Sequence, residues 1–266
     1  SKINKTLDYM DALARGMERR VEDAPLYLKW FLKNEATRLL RYEHFIFEDF
    51  NNHIIISEQD RKLIVNINND KIKVVPNGVD YETYKHAEVK KEYDLIFTGN
   101  MGYPPNVDSV VYLINNVMPL VWDKHPEISV VIAGAQPSAK VLKLKSDKVV
   151  VTGWVEDISQ YYSKSKIFIA PMQIGTGLQN KLLEAMAMKI PCITSDLANN
   201  ALGATHNKNI LIGSDPEGYK KHIIKLINNV ELQKEIGQQG YNFVKENYTW
   251  EETCSILENL IISTAK

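Results

Sequence analysis

The chain has 266 residues, 44% hydrophobic and 24% charged, a balance that lets a soluble globular protein bury a core. Its 32 basic and 33 acidic side chains leave a formal charge of −1, so the composition carries no nucleic-acid footprint. No apolar run approaches the roughly 18 residues of a membrane helix, although a peripheral membrane contact stays open.

The first part of the chain reads as helix-rich. "DYMDALARGMERR" and "PLYLKWFLKNEATRLLRYEHFIFEDF" predict helices, and "HIIIS" and "IKVVP" predict two short strands. "PNGVD", from Pro76 to Asp80, is a strong turn signal, and the polar stretch "YETYKHAEVKKEY" after it reads as a linker. A boundary is therefore expected within 77–92, dividing the chain into a domain over 1–85 and a second over 86–266.

From Asp94 onward short apolar runs alternate with helix-like segments. "DLIFTG", "ISVVIAG", "KVVVTG", "IFIAP", "PCITS" and "NILIG" are each bounded by Gly, Pro, Ser or Asn. Continuous apolar strands suit a parallel sheet covered on both faces, and their alternation with helices predicts a doubly wound, Rossmann-like α/β fold. Asn106 is the expected N-cap of a helix running on to Trp122. Asp157 with Gln160, and Thr249 with Glu252, fit capping boxes. Three helices are predicted to close the chain, over about 216–228, 231–246 and 250–264. Cys192 and Cys254 fall in an apolar strand and an amphipathic helix without metal-type spacing. As buried thiols they suit a reducing cytosol, so a cytoplasmic protein is expected.

The stretch "GTGLQNKLLEAMAMKIPCITS", from Gly175 to Ser195, carries the chemistry. As a helix over 178–188, it puts Leu178, Leu182, Leu183 and Met186 on one face and Gly177, Asn180, Lys181 and Glu184 on the other. Glycines at 175 and 177 let the backbone approach an anion, and a helix N-terminus favours phosphate. Lys181 adds a full charge one turn in, and Glu184 an acceptor for ribose hydroxyls one turn further. The plainer alternative is an exposed Lys–Glu pair worth a few tenths of a kcal/mol. The stretch is neither a Walker loop nor a complete dinucleotide fingerprint. A second loop, "FTGNMGYPPN", brings Gly99 and Gly102 to the same sheet edge and favours the phosphate reading.

The order "PNGVD", "FTGNMGYPPN", "VVVTGWVED", "IFIAPMQIGTGLQNKLLEAMAMKIPCITS" and "NYTWEE" resembles family-4 glycosyltransferases of the two-domain GT-B type. The branch most similar is that of bacterial sugar transferases of exopolysaccharide synthesis. The resemblance implies a nucleotide-diphosphate sugar as donor, a saccharide or lipid-linked acceptor, and metal-independent transfer with retention of configuration. It gives Lys181 and the amides of Gly175, Thr176 and Gly177 to the diphosphate, Gly102 to its other flank, Asn180 to the same donor site, Glu184 to the ribose and the backbone at Val155 to the base. Lys181 is the expected catalytic group, stabilising the leaving diphosphate. Where many members carry Glu-x7-Glu, Glu184 matches the second Glu and Thr176 stands at the first. The family also has a complete N-terminal domain with a catalytic-site His, which His44, His53 and His86 do not match. A C-terminal portion, inactive in transfer by itself, is therefore expected. The alternatives are a nucleotide-binding module completed by a partner and, less well matched, an epimerase of similar fold.

Overall fold

Strands form where valine and isoleucine runs are buried on both faces of a parallel sheet. The computed structural model describes residues 3–66, 68–175 and 177–264. It divides into two compact units, one over Ser1–Gly78, Thr176–Leu178 and Trp250–Lys266, the other over Val79–Gly175 and Gln179–Thr249.

The first unit begins with β1 (Thr6–Asp8), α1 (Leu13–Asp23) and α2 (Leu26–Ile46), followed by β2 (Asn52–Ile55), α3 (Glu58–Leu63) and β3 (Lys73–Val74). The strands form a parallel sheet in the order β1-β2-β3, with Thr6 opposite Asn52 and Ile55 opposite Val74. Tyr9, Ala12, Phe47, Ile55, Ile64 and Ile72 make its core. The Ser57 hydroxyl starts α3 by accepting the Asp60 N–H at 3.0 Å, as an N-cap should. β1 lies just ahead of the predicted first helix, overlapping it at Asp8 alone, where the sequence pattern shows no strand. It is extended because it pairs with β2 and packs Leu7 on the core, a long-range contact that local propensity does not reveal.

The second unit opens with β4 (Tyr93–Thr98), α4 (Pro104–Tyr112), α5 (Met118–Trp122) and β5 (Val130–Ala133). It continues through α6 (Ala139–Leu142), β6 (Val149–Val151), α7 (Ile158–Ser163), β7 (Ser165–Ala170), α8 (Asn180–Ala187) and β8 (Cys192–Thr194). It closes with α9 (Asp196–Leu202), β9 (Leu211–Ile212), α10 (Pro216–Ile227) and α11 (Val230–Asn247). All six predicted strands are present, in one parallel sheet of order β6-β5-β4-β7-β8-β9. β4, the first of them in sequence, is central: Leu95 lies opposite Val130 on one side and Ile167 on the other. The strand order thus reverses between β4 and β7, the switch point where such sheets bind ligands beyond their carboxyl ends.

Several expectations are corrected. The helix predicted to run unbroken to Trp122 is interrupted by a π turn over Leu113–Val117, because Pro119 offers no N–H to an α ladder. Asn106 is not its cap; α4 starts earlier, at Pro104, and Asn106 sits buried in the first turn. Asp157 does cap α7, accepting the Ser159 N–H at 2.9 Å. Gln160 donates to the Asp157 carboxylate at 3.2 Å, a side-chain bond in place of the return bond of a capping box. The stretch read as a linker is tied down: the His86 ring nitrogen Nδ1 lies 2.8 Å from Met188 O, and Tyr84 meets Tyr162 edge-on. Cys192 is buried, but Cys254 is exposed on the outer side of its helix. That helix, α12 (Trp250–Thr264), groups with the first unit, where Asn52 Nδ2 donates to Thr264 Oγ1 at 3.0 Å.

Helix α11 packs closely on the turn after α8. A Cβ on Gly237, in α11, would stand 2.1 Å from Lys189 O, a backbone atom that no rotamer change can move. Alanine would gain about 1 kcal/mol of helix propensity. Overpacking against backbone costs about 1–3 kcal/mol, and this contact belongs at the upper end. Gly237→Ala should therefore lower stability by about 1–2 kcal/mol in urea unfolding. An unchanged or raised midpoint would show that the two helices are free to separate.

Candidate functional site

Two loops leave the sheet on either side of the switch point. After β4 the chain turns through Gly99, at φ +147°, and reaches α4 through Asn100, Met101 and Gly102. After β7 it turns through Gly175, at φ +98°, on its way to α8. Such angles favour glycine. The loops are neighbours, for a Cβ on Gly175 would lie 3.9 Å from Pro105 Cβ at the start of α4.

Helix α8 supplies the charged groups. Leu182, Leu183 and Met186 are fully buried, which fixes the rotation of the helix and turns Lys181 and Glu184 to its other side. No acidic side chain in its first turn offsets the positive end of its dipole. The Lys181 ammonium donates to Asn106 Oδ1 and lies 4.5 Å from the centre of the Phe97 ring. These neutral contacts replace water poorly, and burial lowers the Lys181 pKa to about 7, against a smaller opposing pull from Glu184. Gly99 makes room for this arrangement: a Cβ there would stand 2.7 Å from Asn106 Nδ2 and 3.2 Å from Lys181 Nζ.

Glu184 has partners of its own. The Tyr162 hydroxyl donates to Glu184 Oε2 at 2.9 Å, and the Tyr84 hydroxyl donates to the same carboxylate. Thr98 Oγ1 lies 2.6 Å from the Tyr162 hydroxyl, so a hydrogen-bonded line runs from β4 through α7 to α8. Burial raises the Glu184 pKa, while the two phenols and the Lys181 charge pull it down. Lys181 and Glu184 thus differ from the exposed ion pair of the plainer sequence reading. Each is half-buried as a residue, with its charged end drawn out of bulk water onto a separate set of neutral groups.

The remaining predicted residues fall as follows. Gly102 is exposed in the loop after β4, and its N–H is taken up by Asn100 Oδ1 at 2.8 Å. Asn180 is the exposed first residue of α8. Val155 lies half-buried between β6 and α7, beyond the same edge of the sheet. Gly177 groups with the first unit, and Thr176 lies outside the described residues. Sequence reasoning missed Asn106, Tyr84, Tyr162 and Thr98. Asn106 was legible only as a cap, and the tyrosines carry no motif. An acceptor for buried Lys181 and donors for buried Glu184 were nevertheless required by the cost of burying charge.

The chemistry of the site is therefore specific in kind. It joins a cation that can recharge, a carboxylate held between phenols, a helix N-terminus and two glycine turns at one switch point.

Residues 92–229 match the family model of glycosyl transferases group 1. The chain is 26% identical over 266 residues to an uncharacterized 44.6 kDa protein in the cps region of Klebsiella pneumoniae, covering 92% of this chain and 67% of that protein. It is also 26% identical over 278 residues to an uncharacterized glycosyltransferase of Methanocaldococcus jannaschii, covering 94% of this chain and 70% of the other. Among solved structures, Anabaena HepE in complex with UDP and glucose superposes with a TM-score of 0.70 at 14% identity, covering 96% of this chain and 70% of that one. A mutant of S. aureus TarM in complex with fondaparinux, alpha-GlcNAc-glycerol and UDP superposes with a TM-score of 0.68 at 20% identity. This chain spans only 44% of the TarM chain, and the two structures show the shared GT-B-type α/β fold alone. The family match covers about half of the chain, which therefore belongs to the glycosyl transferases group 1 family.

Proposed function

We propose that the second unit binds a nucleotide-diphosphate sugar and serves glycosyl transfer with retention of configuration, in polysaccharide or glycoconjugate synthesis. The single observation that carries this reading is the pairing of Lys181 and Glu184 on one side of α8 at the β4/β7 switch point. Lys181 meets the diphosphate and stabilises the charge that grows on it as the sugar leaves. That charge stabilisation needs no metal ion. Glu184 accepts from the ribose hydroxyls: a carboxylate has about four acceptor sites, so two phenols leave room for them. Gly175 and Gly102 flank the phosphates, with Asn180 beside them. Val155, after β6, meets the base. UDP in the HepE and TarM complexes supports the donor class, though it belongs to those proteins.

The placement of Lys181 can be tested directly. Lys181→Ala should weaken a nucleoside diphosphate at least about tenfold, while affinity for the bare nucleoside changes little, because the lost interaction is charge on phosphate. Calorimetry of the two ligands on both proteins makes the comparison. Equal losses for the two ligands would remove Lys181 from the diphosphate.

Affinity should also depend on pH with a defined sign. In the free protein the Lys181 pKa is lowered to about 7, so the amine is largely neutral above that pH. A bound diphosphate raises the pKa again, and binding must then take up a proton. Affinity should fall by up to about tenfold per pH unit above neutrality. Below about pH 7 the ammonium is already charged and this dependence disappears. Calorimetry in buffers of different ionisation enthalpy counts the protons. Lys181→Met should abolish the uptake, and uptake that persists in this variant would assign the proton to another group.

A further inference from the structure

Strand β9 is the outer edge of the second unit's sheet, and two histidines hold its free side. Gly213 N–H donates inward to Thr194 O at 2.9 Å, so by strand alternation Ile212 turns its own N–H and C=O away from β8. Both groups end on imidazoles. The Ile212 N–H donates to His206 Nδ1 at 2.9 Å, and His222 Nε2 donates to Ile212 O at 2.9 Å. The two rings stand edge to face, with centroids 5.4 Å apart. His206 comes from the turn before β9, which Asn209 closes by accepting the Thr205 N–H at 2.7 Å. His222 is a buried residue of α10. Each bond fixes a protonation state. An acceptor at Nδ1 leaves His206 its proton on Nε2 alone. Donation from Nε2 keeps the His222 proton there, and its Nδ1 is buried without a hydrogen-bond partner among the described residues. A second proton on His206 would meet the Ile212 N–H head-on, and one on His222 would be a buried charge with no acceptor.

We propose that His206 and His222 form a pH-sensitive clip, closed while both rings are neutral, that releases β9 from α10 in acid. Histidine is the side chain whose charge ordinarily changes near neutrality. The surroundings work against that charge. Burial lowers the His222 pKa from 6.5, the bond to Ile212 O opposes the fall, and His206, Lys225 and Lys221 add to it. The other elements packed on α10 bring no free carboxylate. α5, the π turn before it, β8 and β9 carry no charged residue. Lys166 of β7 is paired with Asp94 at 2.7 Å, and α11 meets α10 through uncharged Gln233, whose Nε2 donates to Leu226 O at 2.7 Å. On α10 itself Glu217 is paired with Lys220 at 3.0 Å, and at its start Asp215 accepts the Gly218 N–H. Asp196, nearby in α9, accepts from Ser214 Oγ at 2.9 Å. With its pKa lowered in the folded state, His222 stabilises the edge fully above its ordinary value of 6.5 and loses that contribution as the pH falls below it. The opening is local, because β9 is only two residues long and lies at the end of the sheet. The proposal is independent of the nucleotide reading.

Amide hydrogen exchange on the 266-residue chain, between about pH 5 and pH 8, tests it. Each rate is divided by the intrinsic rate of that amide, which removes the pH dependence of the exchange chemistry itself. Protection at Leu211, Ile212 and Gly213 should be level above about pH 6.5 and fall by up to about tenfold per pH unit below it. Leu95, Ile96 and Phe97, in the central strand β4, should keep theirs. His206→Gln with His222→Gln should make the edge level over the whole range, because an amide side chain accepts or donates without becoming charged. An edge that stays level in the parent, an equal loss in parent and variant, or an equal loss at β4 would overturn the proposal. The ring nitrogens of the parent give a second reading that needs no variant. Their NMR shifts should place one proton on Nε2 of each ring at about pH 8, and His222 should gain its second proton only as the edge loses protection. A charged His222 beside an edge still protected would likewise overturn the clip.

Discussion

A desolvated ammonium organises the site. Lys181 is withdrawn from bulk water onto a neutral amide oxygen and the face of Phe97, and its pKa falls to about 7 in consequence. Burying a cation among neutral groups is costly, and the cost is tolerated where a later partner recovers it. The surrounding residues answer to that need. Gly99 is a glycine because a Cβ would strike the Asn106 amide. Asn106 is buried in the first turn of α4, with its Nδ2 donating to Asn100 O at 2.9 Å and its Oδ1 left for Lys181. Leu182, Leu183 and Met186 hold the helix at the rotation that aims Lys181 toward them.

The same logic keeps Glu184 from collapsing onto Lys181. A direct ion pair would satisfy both charges and leave neither for a ligand. Tyr84 and Tyr162 instead hold the carboxylate with donors of their own, and Thr98 lies within hydrogen-bond distance of Tyr162 behind them. Tyr162 is wholly buried, and burial together with the nearby carboxylate raises its pKa well above 10, so it stays a donor at any physiological pH. The result is a cation and an anion that are near each other yet separately supported.

The strands of the second unit were legible because a doubly covered parallel sheet needs unbroken apolar runs, and "DLIFTG" through "NILIG" supply them between turn residues. The final helices were legible from their apolar spacing. What failed was long-range or compensating. β1 is extended only because β2 lies beside it. The π turn is set by Pro119 meeting a helix that continues on both sides. Tyr84 sits in a polar stretch that looks like a linker, and only the fold brings it to Glu184. The spacing of Lys181 and Glu184 on one helix face was visible. The residues that hold them apart come from β4, α4, α7 and the stretch before β4, and no local pattern joins these.

The central claim is that Glu184 reads the ribose of a nucleoside diphosphate bound at α8. A thermodynamic cycle by calorimetry tests it most directly, using a ribonucleoside diphosphate and its deoxyribose analogue on the parent chain and on Glu184→Ala. In the parent, loss of the hydroxyl should weaken binding by about tenfold, as expected for a hydrogen bond to a charged group. In the variant the two ligands should bind almost equally, since the acceptor is gone. An undiminished difference between the two ligands in Glu184→Ala, with the fold intact, would contradict the account and place the sugar elsewhere.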